Sequence, residues 1–321
     1  MKVAVTGATG FVAKAVLSVL KSTGLDAVAI VRVNKGCIPA EIENIFEIGN
    51  IGPDTVWDQA LKDIDVIIHL AGRAHIMHET SKNPLETYRL INFLGTQLLA
   101  ESAGKLGVKK FVFLSSVKAK ETCLIEAKKA SCPNHLNKDP YGLSKLEGER
   151  ALIKAAEKHK MNWVILRSPL VYGEGVKGNF LSLMRAINNG WILPVGAIRN
   201  RRSLIFSENL AEAIVCAATQ RTASGTYYVT DGSAVSTPEL VTSIAKALDR
   251  SPRLLRISPT LLRIAGGILG RSKEIERLLE DLEFDNAEFM LETNWTPTHT
   301  MAEGLAKTAY WYKNISGKGS R

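Results

Sequence analysis

The chain has 321 residues, 45% of them hydrophobic and 23% charged, with a formal net charge of +9; this is the size of one large or two ordinary domains with the composition of a globular protein. No apolar run reaches the roughly 18 residues of a membrane span, and the N-terminus lacks the apolar region and cleavage site of a signal peptide, so a cytoplasmic protein with no membrane partner is expected. Cys37, Cys123, Cys132 and Cys216 form no CxxC pair and read as free thiols, and the basic balance, without any nucleic-acid motif, points to anionic small ligands and not to nucleic acid.

In chain order, an apolar strand is predicted at Lys2–Thr6, running into a glycine turn and a helix at Phe11–Ser22. Gly7 permits the tight turn, Gly10 lets the backbone approach a pyrophosphate, and the helix opening at Phe11-Val12 aims its N–H groups at that anion. Ala13 stands at the third small position of the dinucleotide fingerprint. Further strands are predicted at Ala27–Val31, Ile45–Ile48, Asp65–Leu70, Lys110–Ser115 and Trp163–Arg167, with helices at Thr55–Lys62, Pro84–Lys105 and Tyr141–Lys158. Strands alternating with helices imply an α/β fold with a Rossmann-like, doubly wound parallel sheet. Beyond residue 173 the pattern loosens into helices at Phe180–Asn188, Ser207–Ala218, Thr237–Leu248, Pro259–Leu269 and Thr300–Tyr312. Short strands fit Ser203–Ile205 and Thr226–Thr230. The expected organisation is a dinucleotide-binding domain over 1–172, a smaller C-terminal substrate-binding portion over 173–315 whose chain crosses back to the first, and a disordered tail over 316–321. Trp191 and Trp295 read as core residues, and His75 and His78, three apart with no third ligand, do not read as a metal site.

Three elements in order carry the chemistry: the glycine turn, Ser115-Ser116 ending the fifth strand, and Tyr141-Gly142-Leu143-Ser144-Lys145 on a helix. Tyr141 and Lys145 are four apart and share one helix face. A phenol titrates near pH 10 in water, and close cationic charge, from Lys145 and from an oxidised nicotinamide ring, favours its ionised form. A lowering by about 3 units, worth ~4 kcal/mol, would make Tyr141 a usable general base. Ser116 would hydrogen-bond the reacting oxygen, and Lys145 would also hold the nicotinamide ribose.

With these residues the sequence resembles the extended short-chain dehydrogenase/reductases, the nucleotide-sugar epimerase/dehydratase family. The resemblance implies catalytic roles for Ser116, Tyr141 and Lys145. It implies a cofactor site built from Gly7, Gly10, Phe11 and Val12 in the turn, Leu70-Ala71-Gly72 passing beneath the cofactor, Asn92 steadying the catalytic strand, Ser115, and Pro169 in the segment closing over the nicotinamide. Asn50-Ile51 resembles the adenine contact. Substrate contacts are implied for Ser116, Tyr141, Asn179 and Arg202, with Arg271 and Arg277 both fitting a second diphosphate-binding arginine. The helices at Pro84–Lys105 and Tyr141–Lys158 are of the kind that joins two copies as a four-helix bundle in this family.

The family's dehydratases carry an acidic pair directly after the active-site hydroxyl residue; here Val117 and Lys118 stand there, which argues against loss of water. What remains is oxidation or reduction at C4 of the UDP-sugar that the resemblance implies; Arg73-Ala74-His75-Ile76-Met77-His78 and Arg201-Arg202-Ser203-Leu204 resemble the branch of 4-ketoreductases of UDP-4-keto-6-deoxy-N-acetylhexosamines, with a UDP-hexose 4-epimerase as the alternative. A non-catalytic cofactor-sensing protein is a more remote reading, because Tyr141, Lys145 and Ser116 are all kept. The second strand ends in Val31-Arg32-Val33-Asn34-Lys35 without the acid that meets the ribose of NAD, and Arg32 suits a 2′-phosphate, so the cofactor is NAD or NADP.

Overall fold

The computed structural model describes residues 1–33, 38, 42–73, 83–119, 139–221 and 223–318. It divides into two compact units. The first comprises Met1–Ser168, Leu210–Val229 and Asn286–Thr296, and the second Pro169–Asn209, Thr230–Asp285 and Pro297–Arg321.

The first unit is built on a seven-stranded parallel sheet. Its strands are β1 (Lys2–Thr6), β2 (Asp26–Val31), β3 (Asn44–Glu47), β4 (Val66–His69), β5 (Lys110–Ser116), β6 (Asn162–Ser168) and β9 (Gly225–Tyr228), in the order β3-β2-β1-β4-β5-β6-β9. These strands read as unbroken apolar runs because helices cover both faces; Val3, Ala4 and Val5 in β1 and Phe111, Val112 and Phe113 in β5 are all buried. The strand order reverses between β1 and β4, the place where a parallel sheet opens a crevice at the carboxyl ends of its strands. Helix α1 (Phe11–Ser22) buries Ala13, Val16, Leu17 and Leu20, which recur at helical spacing.

The long helix predicted at Pro84–Lys105 is interrupted. It consists of α2 (Pro84–Arg89), a π-helical turn (Leu90–Gly95) and α3 (Thr96–Lys105). The widened turn coincides with two close approaches: a Cβ on Gly95 would lie 2.5 Å from Ile51 Cγ2, and one on Gly148 would lie 2.2 Å from the Asn92 carbonyl oxygen. Helix α4 (Pro140–His159) begins where Asp139 Oδ1 accepts the Tyr141 N–H at 3.2 Å, with Pro140 in the first turn. The helix predicted at Thr55–Lys62 is absent. Residues 58–63 form successive turns ending at Asp63, whose φ is +58°, while Trp57, Ala60 and Leu61 still bury into the core. The apolar spacing is therefore satisfied without a continuous helix. The strand predicted at Thr226–Thr230, read as part of the C-terminal portion, is β9 at the edge of the main sheet beside β6. Helix α10 (Ala287–Thr293) also belongs to this unit, and Trp295 is buried against Phe289.

The second unit holds a two-stranded parallel sheet of β7 (Leu170–Tyr172) and β8 (Leu204–Phe206), with α5 (Gly178–Asn188), α7 (Thr237–Ala247), α8 (Pro259–Ile268), α9 (Ser272–Leu279) and α11 (Met301–Lys318). Helix α6 (Ser207–Thr219) spans the boundary between the segments of the two units. At the centre of the second unit Asp231 accepts from the Tyr172 hydroxyl at 2.8 Å, the Phe206 N–H at 2.9 Å and Asn209 Nδ2 at 2.7 Å. Two expectations are corrected here. Helix α11 continues to Lys318, so the tail expected to be disordered from residue 316 is helical over its first three residues. Trp191, expected in the core, is 64% exposed. No helix among the described residues is long and apolar enough to cross a membrane.

Candidate active site

The end of β1 prepares an anion site. Gly7 has a φ of +67°, and a Cβ there would lie 2.8 Å from both Cα and N of Ala71, so the backbone of the turn presses on the chain leaving β4. The Gly10 N–H closes the turn on the Gly7 carbonyl at 2.8 Å. Helix α1 then starts with no side-chain cap and no acid in its first turn. Its N–H groups need a partner, and the positive end of the helix dipole favours an anionic one. The pyrophosphate of a dinucleotide suits this cradle.

Beneath the turn a polar relay is buried. The Thr6 hydroxyl and His69 Nδ1 are 2.6 Å apart, and His69 Nε2 and the Thr96 hydroxyl 3.1 Å apart. The Ala71 N–H donates to Thr6 Oγ1 and the Thr96 hydroxyl donates to the Asn92 carbonyl at 2.9 Å. These directions assign the proton to Nε2 of a neutral His69, which donates to Thr96 and accepts from Thr6. Burial, and then the nearby Lys145, lower the His69 pKa to about 3. Asn92, on the π-helical turn, accepts the Arg73 N–H at 2.8 Å. Its Nδ2 reaches the Arg73 carbonyl at 3.1 Å and Ser144 Oγ at 3.0 Å. It thus ties the chain after β4 to the helix bearing Tyr141 and Lys145.

Ser116, Tyr141 and Lys145 come together at the carboxyl end of β5. The Tyr141 phenol hydrogen-bonds the Ser116 side chain, and Ser116 Oγ accepts the Lys118 N–H at 3.2 Å. Gly142 allows the approach: a Cβ there would lie 2.3 Å from the Lys118 carbonyl oxygen. The Tyr141 ring also meets Tyr88 edge-on, with centroids 5.9 Å apart. The predicted lowering of the phenol by Lys145 is not what the structure holds. Burial raises the Tyr141 pKa to about 12, with Ser116 opposing and the negative charge of Asp139 adding. The Lys145 amine instead donates to the Leu114 carbonyl at 2.7 Å and sits 4.0 Å from the centre of the Phe113 ring. Burial lowers its own pKa to about 7, with Glu149 opposing.

Glu149 anchors the floor of the site. Its carboxylate accepts from the Ser115 hydroxyl at 2.5 Å and from Arg167 through Nε at 3.0 Å and Nη2 at 2.6 Å. Ser115, implied as a cofactor contact, therefore commits its hydroxyl to Glu149 and supports the site through that carboxylate. Glu149, Arg167, Thr6, Thr96, Ser144 and Asp139 were not singled out from the sequence. The acid four residues past Lys145 was a visible signal for Glu149; the buried relay had none.

Of the remaining expected cofactor residues, Arg32 is exposed just past β2, with its carbonyl accepting the Gly49 N–H at 3.2 Å. Asn50 is exposed, Ile51 packs against the core, and Leu70, Ala71 and Gly72 follow β4. Val33 is exposed, whereas Asn34, Lys35, His75, His78, Cys37, Cys123 and Cys132 lie outside the described residues. Cys216 is a free thiol.

In the second unit, Pro169 precedes β7 and Asn179 is exposed in the first turn of α5, which has no side-chain cap and no acid. Arg202 donates through Nη1 to the carbonyls of Arg277 at 2.9 Å and Leu278 at 3.4 Å, at the C-terminal end of α9. A guanidinium is favoured there by the negative end of the helix dipole, so Arg202 has a structural role beside the phosphate contact implied for it. Arg271 and Arg277 are both exposed.

Residues 3–229 match the model of the NAD dependent epimerase/dehydratase family. A UDP-glucose 4-epimerase of Vibrio cholerae is 37% identical over 308 residues, covering 95% of this chain and 93% of that protein. A ceramide reductase of Caulobacter vibrioides is 27% identical, covering 94% and 88%. The crystal structure of Thermus thermophilus UDP-glucose 4-epimerase in complex with NAD superposes with a TM-score of 0.74 at 21% identity, over 98% of this chain and 99% of that one.

Proposed function

Because the chain belongs to the NAD-dependent epimerase/dehydratase family, we propose that it transfers a hydride at C4 of a UDP-sugar with NAD(P), working as a 4-ketoreductase of a UDP-4-keto-6-deoxy-N-acetylhexosamine. The observation that carries this reading is the Tyr141 phenol bonded to Ser116, with Lys145 one helical turn on, beside a glycine turn shaped for a pyrophosphate.

Gly7, Gly10, Phe11 and Val12 would hold the pyrophosphate by backbone N–H groups. Arg32, Asn50 and Ile51 would meet the adenosine end, Leu70, Ala71 and Gly72 would pass beneath the cofactor, and Lys145 would hold the nicotinamide ribose. Asn92 would keep the segment at residues 72–73 in register with α4, and Pro169 would bear on the nicotinamide. The bound cofactor supplies or accepts the hydride. Tyr141 donates its proton to the C4 oxygen as the ketone is reduced, and a phenol with a pKa near 12 is fully protonated for that step at neutral pH. Ser116 orients the same oxygen. The exposed N-terminal turn of α5, with Lys177 as its N-cap and Asn179 inside it, suits the substrate diphosphate, and Arg202 would add a guanidinium to it. The absence of a carboxylate at Val117 and Lys118 supports hydride transfer without dehydration. Lys118 is occupied by an ion pair with Asp139 at 2.6 Å.

The second reading is a UDP-hexose 4-epimerase that retains NAD, supported by the Vibrio cholerae relative. The two separate in one experiment. The purified protein is assayed with UDP-glucose, UDP-N-acetylglucosamine and the UDP-4-keto-6-deoxy-N-acetylhexosamine, with NADH and NADPH, and products are read by NMR. Stoichiometric oxidation of added NADPH with formation of a 6-deoxy alcohol supports the reductase. Interconversion of C4 epimers without added cofactor supports the epimerase. Turnover of none of them would overturn both.

A further inference from the structure

Helix α8 presents an apolar face that nothing among the described residues covers. Leu262 and Gly266 are its buried positions. Gly266 seats α8 against α9, since a Cβ there would lie 2.6 Å from Ile275 Cγ1, and Arg263 Nε reaches Glu276 Oε1 at 2.9 Å. That contact uses one side of the helix. At 100° per residue, Leu261, Ile264 and Ile268 fall within an arc of about 60° on another side, and Leu269 follows as the C-cap. All four are exposed, Ile268 by 81% and Leu269 by 72%.

The chain that carries this face is basic along its sequence. From residue 250 to residue 273 the chain carries Arg250, Arg253, Arg256, Arg263, Arg271 and Lys273 and no acid; the acids resume at Glu274 and Glu276, and Glu276 is paired with Arg263. A second apolar pair lies next to the same segment. The Leu193 N–H donates to the Arg253 carbonyl at 2.8 Å, and the Leu255 N–H to the Leu193 carbonyl at 2.9 Å. This ladder holds Trp191 and Ile192, 64% and 65% exposed, beside Arg253 and Leu255.

An exposed apolar stripe with an exposed Trp, set among basic side chains, is how an interfacial helix engages a negatively charged lipid surface: the apolar residues enter the headgroup boundary and the basic ones meet phosphate. We propose that α8 and its flanks, with Trp191 and Ile192, dock this protein on anionic phospholipid membranes. The charge disfavours a second copy of the same face as the occupant, because Arg256, Arg271 and Lys273 would then meet their own counterparts while Arg263 is already paired with Glu276. The inference concerns a surface attachment and does not depend on the reaction assigned above.

The test is co-sedimentation of the full chain with vesicles of phosphatidylcholine alone or mixed with phosphatidylglycerol, at low and high salt. Retention on the mixed vesicles, weak retention on phosphatidylcholine and release by salt are expected. Replacing Arg256 and Lys273 by Gln should weaken partitioning about fivefold for each charge removed. Replacing Ile268 and Leu269 by Glu should abolish retention while the unfolding midpoint stays at the wild-type value, since both side chains are in solvent. No retention of the wild type, equal retention on neutral vesicles, or retention unaffected by I268E/L269E would overturn the proposal. So would self-association of the free protein that the same double substitution removes, which would assign the face to a second copy.

Discussion

The amine of Lys145 donates to the Leu114 carbonyl oxygen at 2.7 Å, at the carboxyl end of β5. Burial lowers its pKa to about 7. The unfolded chain therefore binds more protons than the folded one between about pH 7 and pH 10.5, and wild-type stability rises with pH across that window. Lys145→Met, of similar length, removes the buried amine. It should be more stable than wild type near pH 7, by a few kcal/mol at most, and the difference should shrink by about 1.4 kcal/mol per pH unit on going from pH 8 to pH 9. Urea unfolding at these pH values measures it, and a difference independent of pH would contradict the placement of Lys145.

His69 shifts stability in the same direction, over a lower pH window. Its pKa is lowered to about 3 by burial, so the unfolded state takes up a proton first as pH falls below about 6.5. The stability owed to the neutral ring is complete above that pH and is lost as pH falls toward 3. Between about pH 7.5 and pH 5.5 wild type should lose ~1.4 kcal/mol more than His69→Gln, which cannot titrate. Equal acid sensitivity in the two proteins would refute the neutral relay from Thr6 to Thr96.

The Glu149–Arg167 pair is nearly out of solvent, with side chains 3% and 15% exposed. Burial acts to lower the Arg167 pKa, yet Glu149 more than offsets it and the net shift is upward. Glu149→Gln leaves a buried guanidinium without its counter-charge and should cost about 3–5 kcal/mol. The double variant Glu149→Met with Arg167→Met should recover most of that loss. Denaturant midpoints decide it, and a double variant as unstable as E149Q would contradict the ion-pair account.

Gly142 is required by contact and not by its dihedral angles. Ala at this position would press its methyl group on the Lys118 carbonyl and push the start of α4 away from the end of β5. Gly142→Ala should lower kcat by about 10²-fold, as misplacement by an ångström does, while cofactor affinity, set at Gly7 and Gly10, changes little. Unchanged kcat would show that the Ser116–Tyr141 spacing tolerates the shift.

The sequence made the main sheet legible because strands buried on both faces leave continuous apolar runs, and the order of glycine turn, Ser116 and Tyr141 pointed to the candidate site. Three features were not legible for physical reasons. The π-helical turn at Asn92 coincides with close approaches to Ile51 and Gly148, far away in sequence. The apolar spacing of Trp57, Ala60 and Leu61 fits a helix as well as the turns it forms. The return of β9 to the first unit is a choice of strand partner that local periodicity does not encode. Exposure was misjudged at Trp191 because a large apolar side chain was assigned to the core by type alone. The position of the Lys145 amine depends on the depth of the surrounding Phe113 and Leu114, which spacing along one helix cannot give.

The central claim is that Tyr141 moves the proton that accompanies hydride transfer at C4. Removing one hydroxyl by Tyr141→Phe keeps the ring against Tyr88 and leaves the Gly7–Gly10 turn untouched. Turnover of the UDP-4-keto sugar, read as nicotinamide absorbance, should fall by about 10²–10⁴-fold, with cofactor affinity by fluorescence titration at the wild-type value. Wild-type turnover in that variant would contradict the account.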